Sequence, residues 1–197
     1  MQHLIDDGPA RAIVIESVSL SEKGPVRTTN EDSIAVLTPE QHGDPTKGTL
    51  LIVADGMSGM EGGERASAII TSELPSLYLS SPNASPLKAL VSSVHQVNHI
   101  VYDVGRYSSA GGFMGSTVVA AVVLDSYVIV VNVGDSRAYV LQQGRLRQLS
   151  VDHTLRKSFF FPLGRQPHRL AHVLVQAIGP HPEINPHVAI TQIEDTD

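Results

Sequence analysis

Three short acidic segments contain most of the side chains in this sequence that could carry out chemistry. They are Arg27–Ser33 (RTTNEDS), Val53–Glu64 (VADGMSGMEGGE) and Val133–Val140 (VGDSRAYV). In each, an Asp stands beside an apolar run rich in β-branched residues, and such runs predict buried strands. A carboxylate at the end of a buried strand lies at the rim of a sheet. If folding brings these rims together, the carboxylate oxygens suit the hard cations Mg²⁺ and Mn²⁺.

The first segment combines one permanent cation with two adjacent acids. Arg27 stands shortly before Glu31 and Asp32. A guanidinium fork matches the geometry of a phosphate and stays charged at any working pH. Adjacent carboxylates are costly unless a cation neutralises them. The segment therefore indicates an anion that approaches a metal, and the alternative is a solvated turn with a local ion pair.

In the other two segments, an Asp and a Gly stand together at a predicted change of chain direction. Asp55 ends the run LLIVAD, and Gly56 lets the chain turn and its carbonyl approach a metal closely. The glycines that follow fit neither a dinucleotide fingerprint nor a P-loop. Asp135 stands at a bend between two predicted strands. The alternatives to metal binding are a helix-capping role for Asp55 and an Asx-turn at Asp135.

Other patterns favour chemistry less. His95/His99 and His168/His172 have the i, i+4 spacing of zinc ligands but lack the HExxH arrangement, so we expect ordinary surface or core histidines. No Ser stands in a G-x-S-x-G elbow, which disfavours a serine-nucleophile hydrolase. The stretch Arg145–Arg169 holds six bases and one acid. It predicts either a surface that attracts a phosphorylated partner or a solvated loop.

Composition limits the class of protein. The 197 residues fit one domain, 1–197, with a sizeable core. With 14 basic and 20 acidic side chains, the net charge of −6 argues against a dedicated nucleic-acid binder. The absence of cysteine excludes disulfides, Cys-ligated zinc and a thiol nucleophile. The N-terminus does not resemble a secretory signal, and Val118–Leu124 is far short of the roughly 20 residues that span a bilayer. We therefore expect a cytoplasmic protein that binds no membrane.

Apolar periodicity and turn residues predict the elements that position the acids. We expect strands at Ala12–Leu20, Ser33–Leu37, Thr49–Ala54, Ser116–Leu124, Tyr127–Gly134, Ser136–Leu141, Leu146–Leu149 and His187–Ile193. We expect helices at Gly62–Leu74, ended by Pro75, at Ser85–Tyr107, and a short one at Ala171–Ile178. Together these elements predict an α+β fold with antiparallel sheets covered by two helices.

Four segments taken in order resemble a known family. RTTNED, VADGMSGMEGGERAS, GSTVVAAVV and VNVGDSRAYVLQQGRLRQLSVDHTL occur at spacings similar to those of the metal-dependent Ser/Thr protein phosphatases of type 2C. The bacterial branch looks closest, because Met57 stands where eukaryotic members usually have His. The resemblance covers Ser17 to about Leu155 closely, and IGPHPEINPHVAITQIED loosely.

The resemblance implies a β-sandwich flanked by helices in α-β-β-α layers, with two Mn²⁺ or Mg²⁺ ions in a cleft at one end of the sheets. It implies hydrolysis of phosphoserine and phosphothreonine in proteins by a metal-activated water, without a phosphoenzyme. The partners it implies are phosphorylated proteins, with a Ser/Thr kinase that acts on the same substrates.

The resemblance also assigns roles to individual residues. Arg27 matches the phosphate-binding Arg. Asp55 matches the Asp that bridges both metals, and Gly56 supplies a carbonyl ligand. Thr117 and Ser136 match motif positions that we interpret as structural. The complete set of matching metal-site positions is Asp55, Gly56, Glu31, Asp32 and Asp135, of which Glu31 and Asp32 support the second metal and Asp135 lies near a third, weaker one.

One departure from the family pattern concerns the metal ligands. The family places two further ligand Asp residues after the strand represented here by Val188–Ile193, and this sequence stops at Asp197, before both. We therefore expect a fold that is incomplete at the C-terminus, at most one well-held ion, and little or no activity from these residues alone. Two functional classes remain: a protein phosphatase, and a catalytically inactive phosphatase-like module that binds phosphoproteins.

Overall fold

A five-stranded antiparallel sheet forms the centre of the protein. The computed structural model describes residues 15–57, 62–107, 114–158 and 173–193. The strands of this main sheet are β1 (Asp32–Leu37), β2 (Thr49–Asp55), β3 (Val118–Leu124), β4 (Tyr127–Val133) and β7 (His187–Gln192), in the spatial order β1-β2-β3-β4-β7. Each pairs antiparallel with its neighbour. A separate hairpin is formed by β5 (Tyr139–Gln142) and β6 (Arg145–Gln148).

Two long helices cover one face of the main sheet. They are α2 (Gly63–Ser80) and α3 (Pro86–Arg106). Short helices occur at α1 (Pro39–His42) and α4 (Leu155–Ser158), and a 3-10 turn at Pro45–Lys47. As predicted, α3 starts with Pro at its first position, where the missing N–H costs nothing. None of the described helices combines the length and apolar character needed to cross a membrane.

The core lies between the two helices and the facing side of the main sheet. Alternate residues along the strands point into it, as the two-residue period of a strand requires. Burying one Leu, Ile or Val side chain contributes about 1.5–3 kcal/mol, so this layer is the main source of stability. Its fully or almost fully buried members include Leu50, Ile52, Ile70, Leu74, Leu90, Val94, Val97, Val118, Val122, Ile129 and Val131.

The hairpin covers part of the other side of the main sheet. Val140 of β5 packs against a small cluster that contains Val119, Val130 and Leu149. The predicted second sheet is thus a two-stranded one within the described ranges. The prediction of an α+β fold with antiparallel sheets and two covering helices is confirmed. The extent of the domain over residues 1–197 stays a prediction.

The predicted end of the first long helix is wrong. We expected Pro75 to stop it, yet α2 runs on to Ser80. An interior Pro costs about 3 kcal/mol because it removes one backbone hydrogen bond. Continuing the helix buries Tyr78 completely and lets its hydroxyl donate to the Lys47 carbonyl at 2.7 Å. These gains outweigh the cost of the Pro.

The strand predicted at Ala12–Leu20 is not formed in its described part. Residues 12–14 lie outside the described ranges, and Ile15–Leu20 has no strand pairing. Val18 and Leu20 are 99% and 78% exposed. An alternating apolar pattern favours a strand only where a neighbouring strand is available to bond with it.

A second correction concerns Ala171–Ile178, predicted as a short helix. Residues 173–178 contain no helix. Instead, the Ser116 N–H donates to the Ile178 carbonyl at 3.0 Å, and the Ile178 N–H returns a bond to Ser116 at 2.8 Å. Leu174 forms a similar bridge with Thr154. These non-local backbone bonds hold the segment extended, and no local pattern signals them.

Candidate functional site

Antiparallel pairing places two acids side by side at one end of the main sheet. Asp32 is the first residue of β1 and Asp55 the last of β2, and the two face each other in the register. Directly opposed residues in an antiparallel pair have Cβ atoms about 4.5–5.5 Å apart. The expectation that these two carboxylates converge therefore agrees with the fold. We call this edge of the main sheet the acidic end.

Glu31 and Gly56 extend the acidic end. The Gly56 N–H donates to the Glu31 carbonyl at 3.0 Å, and the Ser67 hydroxyl of α2 donates to the same oxygen at 2.6 Å. A Cβ atom at Gly56 would come within 2.4 Å of the Gly63 carbonyl group. Glycine is required here because the start of α2 lies against the end of β2. This close approach fixes Glu31 beside Asp55.

Asp135 lies in the bend that follows β4. The bend starts at Gly134, which has a φ of +104°. The Gly134 N–H donates to Nδ1 of His153 at 3.2 Å, and its carbonyl accepts from the His153 N–H at 2.9 Å. Burial lowers the pKa of His153, so it stays neutral, as an acceptor nitrogen must. Both sides of the Gly134 peptide are therefore held, and the bend is fixed.

The charges of these acids act on one another. The pKa of Asp55 is raised to about 6. Burial is the largest cause, followed by the charge of Asp32, a hydrogen bond shared between those two carboxyls, and the charges of Asp135 and Glu31. All four acids are thus close enough to interact, and they gather negative charge that a proton or a cation relieves.

Arg27 is the basic residue of the acidic end. Its Nη1 atom lies 3.7 Å from Oε2 of Glu31, and the two side chains are 59% and 20% exposed. Exposed ion pairs of this kind contribute about 0–1 kcal/mol. The Arg27 guanidinium can therefore exchange this contact for a stronger one with an incoming anion at little cost.

The oxygen donors of the acidic end suit a hard divalent cation, although in the described residues they do not surround one point. Asp32, Asp55 and the Gly56 carbonyl supply only oxygen donors, which Mg²⁺ and Mn²⁺ prefer. No group of three or more acids or histidines converges in metal-binding geometry among the residues the structure describes. An ion held here would complete its coordination shell with water.

Within the described ranges, the remaining sequence candidates are not brought together. His95 and His99 lie on α3 without a third ligand in the described part of the chain. His168 and His172 lie outside the described residues. In the basic stretch, Arg147 of β6 donates to the Thr191 hydroxyl of β7 at 2.6 Å. Two further bases, Arg165 and Arg169, also lie outside the described ranges, so a continuous basic surface stays a prediction.

The family resemblance identified Thr117 and Ser136 as structural positions, whereas sequence reasoning missed the roles of Ser116, His153 and the ion pair of Arg137 with Asp152. The Ser116 hydroxyl donates to the Asp55 carbonyl at 2.9 Å, and the Thr117 N–H donates to the same carbonyl at 2.9 Å. Arg137 holds Asp152 through both carboxylate oxygens, one bond being 2.9 Å long. The segment GST before an apolar run was a usable signal for Ser116 and Thr117, whereas the role of His153 has no local signal.

Comparison with known proteins agrees with this architecture. Residues 16–158 match the model of the family Protein phosphatase 2C. Over 188 residues the chain is 29% identical to the Serine/threonine phosphatase stp of Listeria welshimeri, covering 90% of this chain and 72% of the relative. It is 34% identical over 141 residues to the protein of the same name from Listeria monocytogenes, covering 68% of this chain and only 53% of the relative.

Solved structures show the same likeness. The Staphylococcus aureus Serine/threonine phosphatase Stp1 superposes with a TM-score of 0.75 at 26% identity, covering 88% of this chain and 69% of that one. The Mycobacterium tuberculosis serine/threonine phosphatase PstP/Ppp gives a TM-score of 0.71 at 27% identity, covering 89% and 72%. A family match over well more than half of the chain, together with this shared fold, shows that the chain belongs to the protein phosphatase 2C family.

Proposed function

We propose that the protein hydrolyses phosphoserine and phosphothreonine in other proteins, with Mn²⁺ or Mg²⁺ bound at the acidic end. The observation that carries the proposal is the placement of Asp32 opposite Asp55 at the ends of β1 and β2, with Arg27 beside Glu31. The proposal is supported by membership of a metal-dependent family and by relatives named as Ser/Thr phosphatases.

The ion would be held by Asp55, the Gly56 carbonyl, Glu31 and Asp32, with Asp135 nearby. When bound, a divalent cation lowers the pKa of water and neutralises phosphoryl oxygens. The chain's own contribution is to keep the acids in fixed positions. The register of β1 and β2 fixes Asp32 and Asp55, and the bonds from Gly56 and Ser67 fix the Glu31 backbone.

Arg27 would bind the phosphate of the substrate. Its guanidinium is charged at any working pH and can donate two parallel bonds to a phosphate. In the structure it contacts Glu31 at 3.7 Å, which is longer than a good hydrogen bond. An arriving phosphate would therefore replace a weak contact with a charge-assisted, bidentate one.

A cleft beside the acids offers room for a peptide. It has a volume of about 410 Å³ and is lined by Thr29, Glu31, the first residues of α2 and Arg65. The N-terminus of α2 and the Arg65 side chain favour an anion in this cleft, whereas the carboxylates of Glu31 and Glu64 oppose one. The cleft is open, as is suitable for a flexible phosphorylated segment. Phosphorylated proteins in the cytoplasm, together with the Ser/Thr kinase that modifies them, are the partners we propose.

The test is phosphate release from a phosphothreonine peptide by the purified chain. We expect slow release that requires Mn²⁺ and stops with chelator, because few metal ligands converge in the described residues. The Asp55→Asn variant should lose this release. An equal rate in that variant, or in chelator, would contradict the proposal. Peptide binding without any release in Mn²⁺ would instead identify a catalytically inactive module that binds phosphoproteins.

A further inference from the structure

Thr117 contacts the two segments that carry Asp55 and Asp135. On one side it bonds twice to Asp55 of β2. The Thr117 N–H donates to the Asp55 carbonyl at 2.9 Å, and the Thr117 hydroxyl accepts from the Asp55 N–H at 3.2 Å. Thr117 is only 2% exposed, so water does not compete for these bonds. The backbone of Asp55 is thus fixed to the start of β3.

On its other side, Thr117 contacts both neighbours of Asp135. The Ser136 Oγ atom lies 2.6 Å from the Thr117 Oγ1 atom. Gly134 packs so tightly on Thr117 that an added Cβ would lie 2.6 Å from the Thr117 Cγ2 atom. The residues before and after Asp135 therefore both lie against this one side chain.

The hydrogen bonds at Thr117 form one continuous chain. Its hydroxyl accepts from the Asp55 N–H and also bonds to the Ser136 hydroxyl, where either oxygen can be the donor. Losing a bond at a buried hydroxyl is costly, so both contacts matter. The chain of bonds therefore joins Asp55 to Ser136 through Thr117.

We propose that Thr117 and Ser136 are positioning residues: their hydroxyl pair sets the separation of the Asp55 and Asp135 carboxylates. The inference rests on the metal site of the proposed function and adds two residues to it. Removing a group that hydrogen-bonds to a metal ligand commonly lowers metal affinity by about 10–100-fold. Thr117 is hydrogen-bonded to the Asp55 backbone, and its bond to Ser136 connects Asp55 to the bend that contains Asp135.

The test measures Mn²⁺ affinity by the electron paramagnetic resonance of free Mn²⁺, with thermal unfolding recorded in parallel. Thr117→Val should weaken Mn²⁺ binding about tenfold. Thr117→Ser keeps the hydroxyl and should restore most of the affinity. Ser136→Ala should weaken binding by a smaller factor. Because Ser136 acts through Thr117, the double variant should bind no more weakly than Thr117→Val alone.

Thr49→Val is the matched control. Thr49 is 1% exposed and lies at the opposite end of β2, about 20 Å from Asp55 along the strand. Thr49→Val should leave Mn²⁺ affinity unchanged. If it weakened Mn²⁺ binding as much as Thr117→Val does, the effect would come from losing any buried hydroxyl, and the inference would be overturned.

Several outcomes separate this inference from the proposed function. Wild-type affinity in Thr117→Val, no recovery in Thr117→Ser, or additive losses in the double variant would overturn the positioning role. If Thr117→Val does not fold, unchanged affinity in Ser136→Ala overturns it. Asp55→Asn tests the metal site itself. If that variant also binds Mn²⁺ like the wild type, it is the proposed site that fails.

Discussion

The charged and polar groups at the two ends of the main sheet have different neighbours. At the end opposite the acids, polar groups satisfy one another. The Tyr78 hydroxyl donates to the Lys47 carbonyl at 2.7 Å, the Lys47 ammonium lies 5.3 Å from the centre of the Tyr78 ring, and the Asp44 side chain accepts from the Thr46 N–H at 3.0 Å. We call this the polar end.

At the acidic end, the charges that act on Asp55 are all carboxylates, although Arg27 contacts Glu31. Asp55 lies beside Asp32, and its pKa is raised first by burial and then by the charges of Asp32, Asp135 and Glu31. The polar end therefore stabilises the fold, whereas the acidic end costs stability until a cation arrives. This difference favours a functional role for the acidic end, and variants at both ends test that role.

The largest effect should come from Asp55→Asn. We expect phosphopeptide hydrolysis to fall by roughly 100-fold or more, because a proposed direct ligand should matter at least as much as the groups behind it. The free energy of unfolding should stay the same or rise, since one of several repelling charges is removed. Steady-state kinetics and urea unfolding measure the two quantities.

The matched control for that variant is Asp44→Asn at the polar end, which should keep the wild-type rate. A clear fall in the free energy of unfolding of Asp55→Asn would contradict the contrast between the two ends, because the acidic end would then act as a structural element.

Arg27→Ala should have the next largest effect. We expect KM for a phosphopeptide to rise about tenfold, since a hydrogen bond to a charged group contributes about 1.5–3 kcal/mol. Mn²⁺ affinity should change little, because Arg27 would meet the anion and the acids would meet the cation. Arg106→Ala, at the end of α3, is the control that removes the same charge elsewhere. An unchanged KM in Arg27→Ala would count against its phosphate-binding role.

Tyr78→Phe tests the polar end. Removing the hydroxyl leaves the Lys47 carbonyl without this donor, so we expect a loss of about 1–2 kcal/mol in the free energy of unfolding. Mn²⁺ affinity should not change. Tyr107→Phe, at a tyrosine that is 80% exposed, should affect neither quantity. If Tyr78→Phe weakened Mn²⁺ binding, the two ends would not be independent.

The smallest effect should be a pH dependence due to Asp152. Its bond from Arg137 is the main reason that the pKa of Asp152 lies below the usual range, and a bond from Gln148 adds to it. The folded state therefore binds fewer protons than the unfolded state at mildly acidic pH. The stabilisation is complete above the ordinary pKa of Asp, about 4, and is lost as pH falls through the lower folded value. Unfolding midpoints in Asp152→Asn should fall less steeply with acid than those of the wild type.

Much of the fold was predictable because it depends on local pattern. Continuous apolar runs gave β2, β3 and β4, and helical spacing after Pro86 gave α3. The continuation of α2 through Pro75 was not predictable, because it depends on the burial of Tyr78 and its bond to Lys47. The extended backbone at Ile178 likewise depends on Ser116, more than 60 residues earlier.

The candidate site also has a part that local sequence predicts and a part that depends on non-local contacts. That Asp55 ends a strand was evident from the sequence, as was the closeness of Arg27 to Glu31. That Asp55 faces Asp32 depends on strand register, which is a non-local property. The hydroxyl pair of Thr117 and Ser136 connects residues whose contact only the folded sheet creates. The sequence therefore identifies the acids, and marks Thr117 and Ser136 as structural positions, but it does not show that these two hydroxyls contact each other.

A calorimetric titration of Mn²⁺ into the metal-free chain near pH 7 tests whether the acidic end binds a divalent ion. We predict one weak site that is lost in Asp55→Asn and retained in Tyr78→Phe. Such a result would locate divalent-ion binding at the acidic end of the main sheet. If Mn²⁺ does not bind to the wild type, or binds equally to the wild type and to Asp55→Asn, the acidic end is not a divalent-ion site.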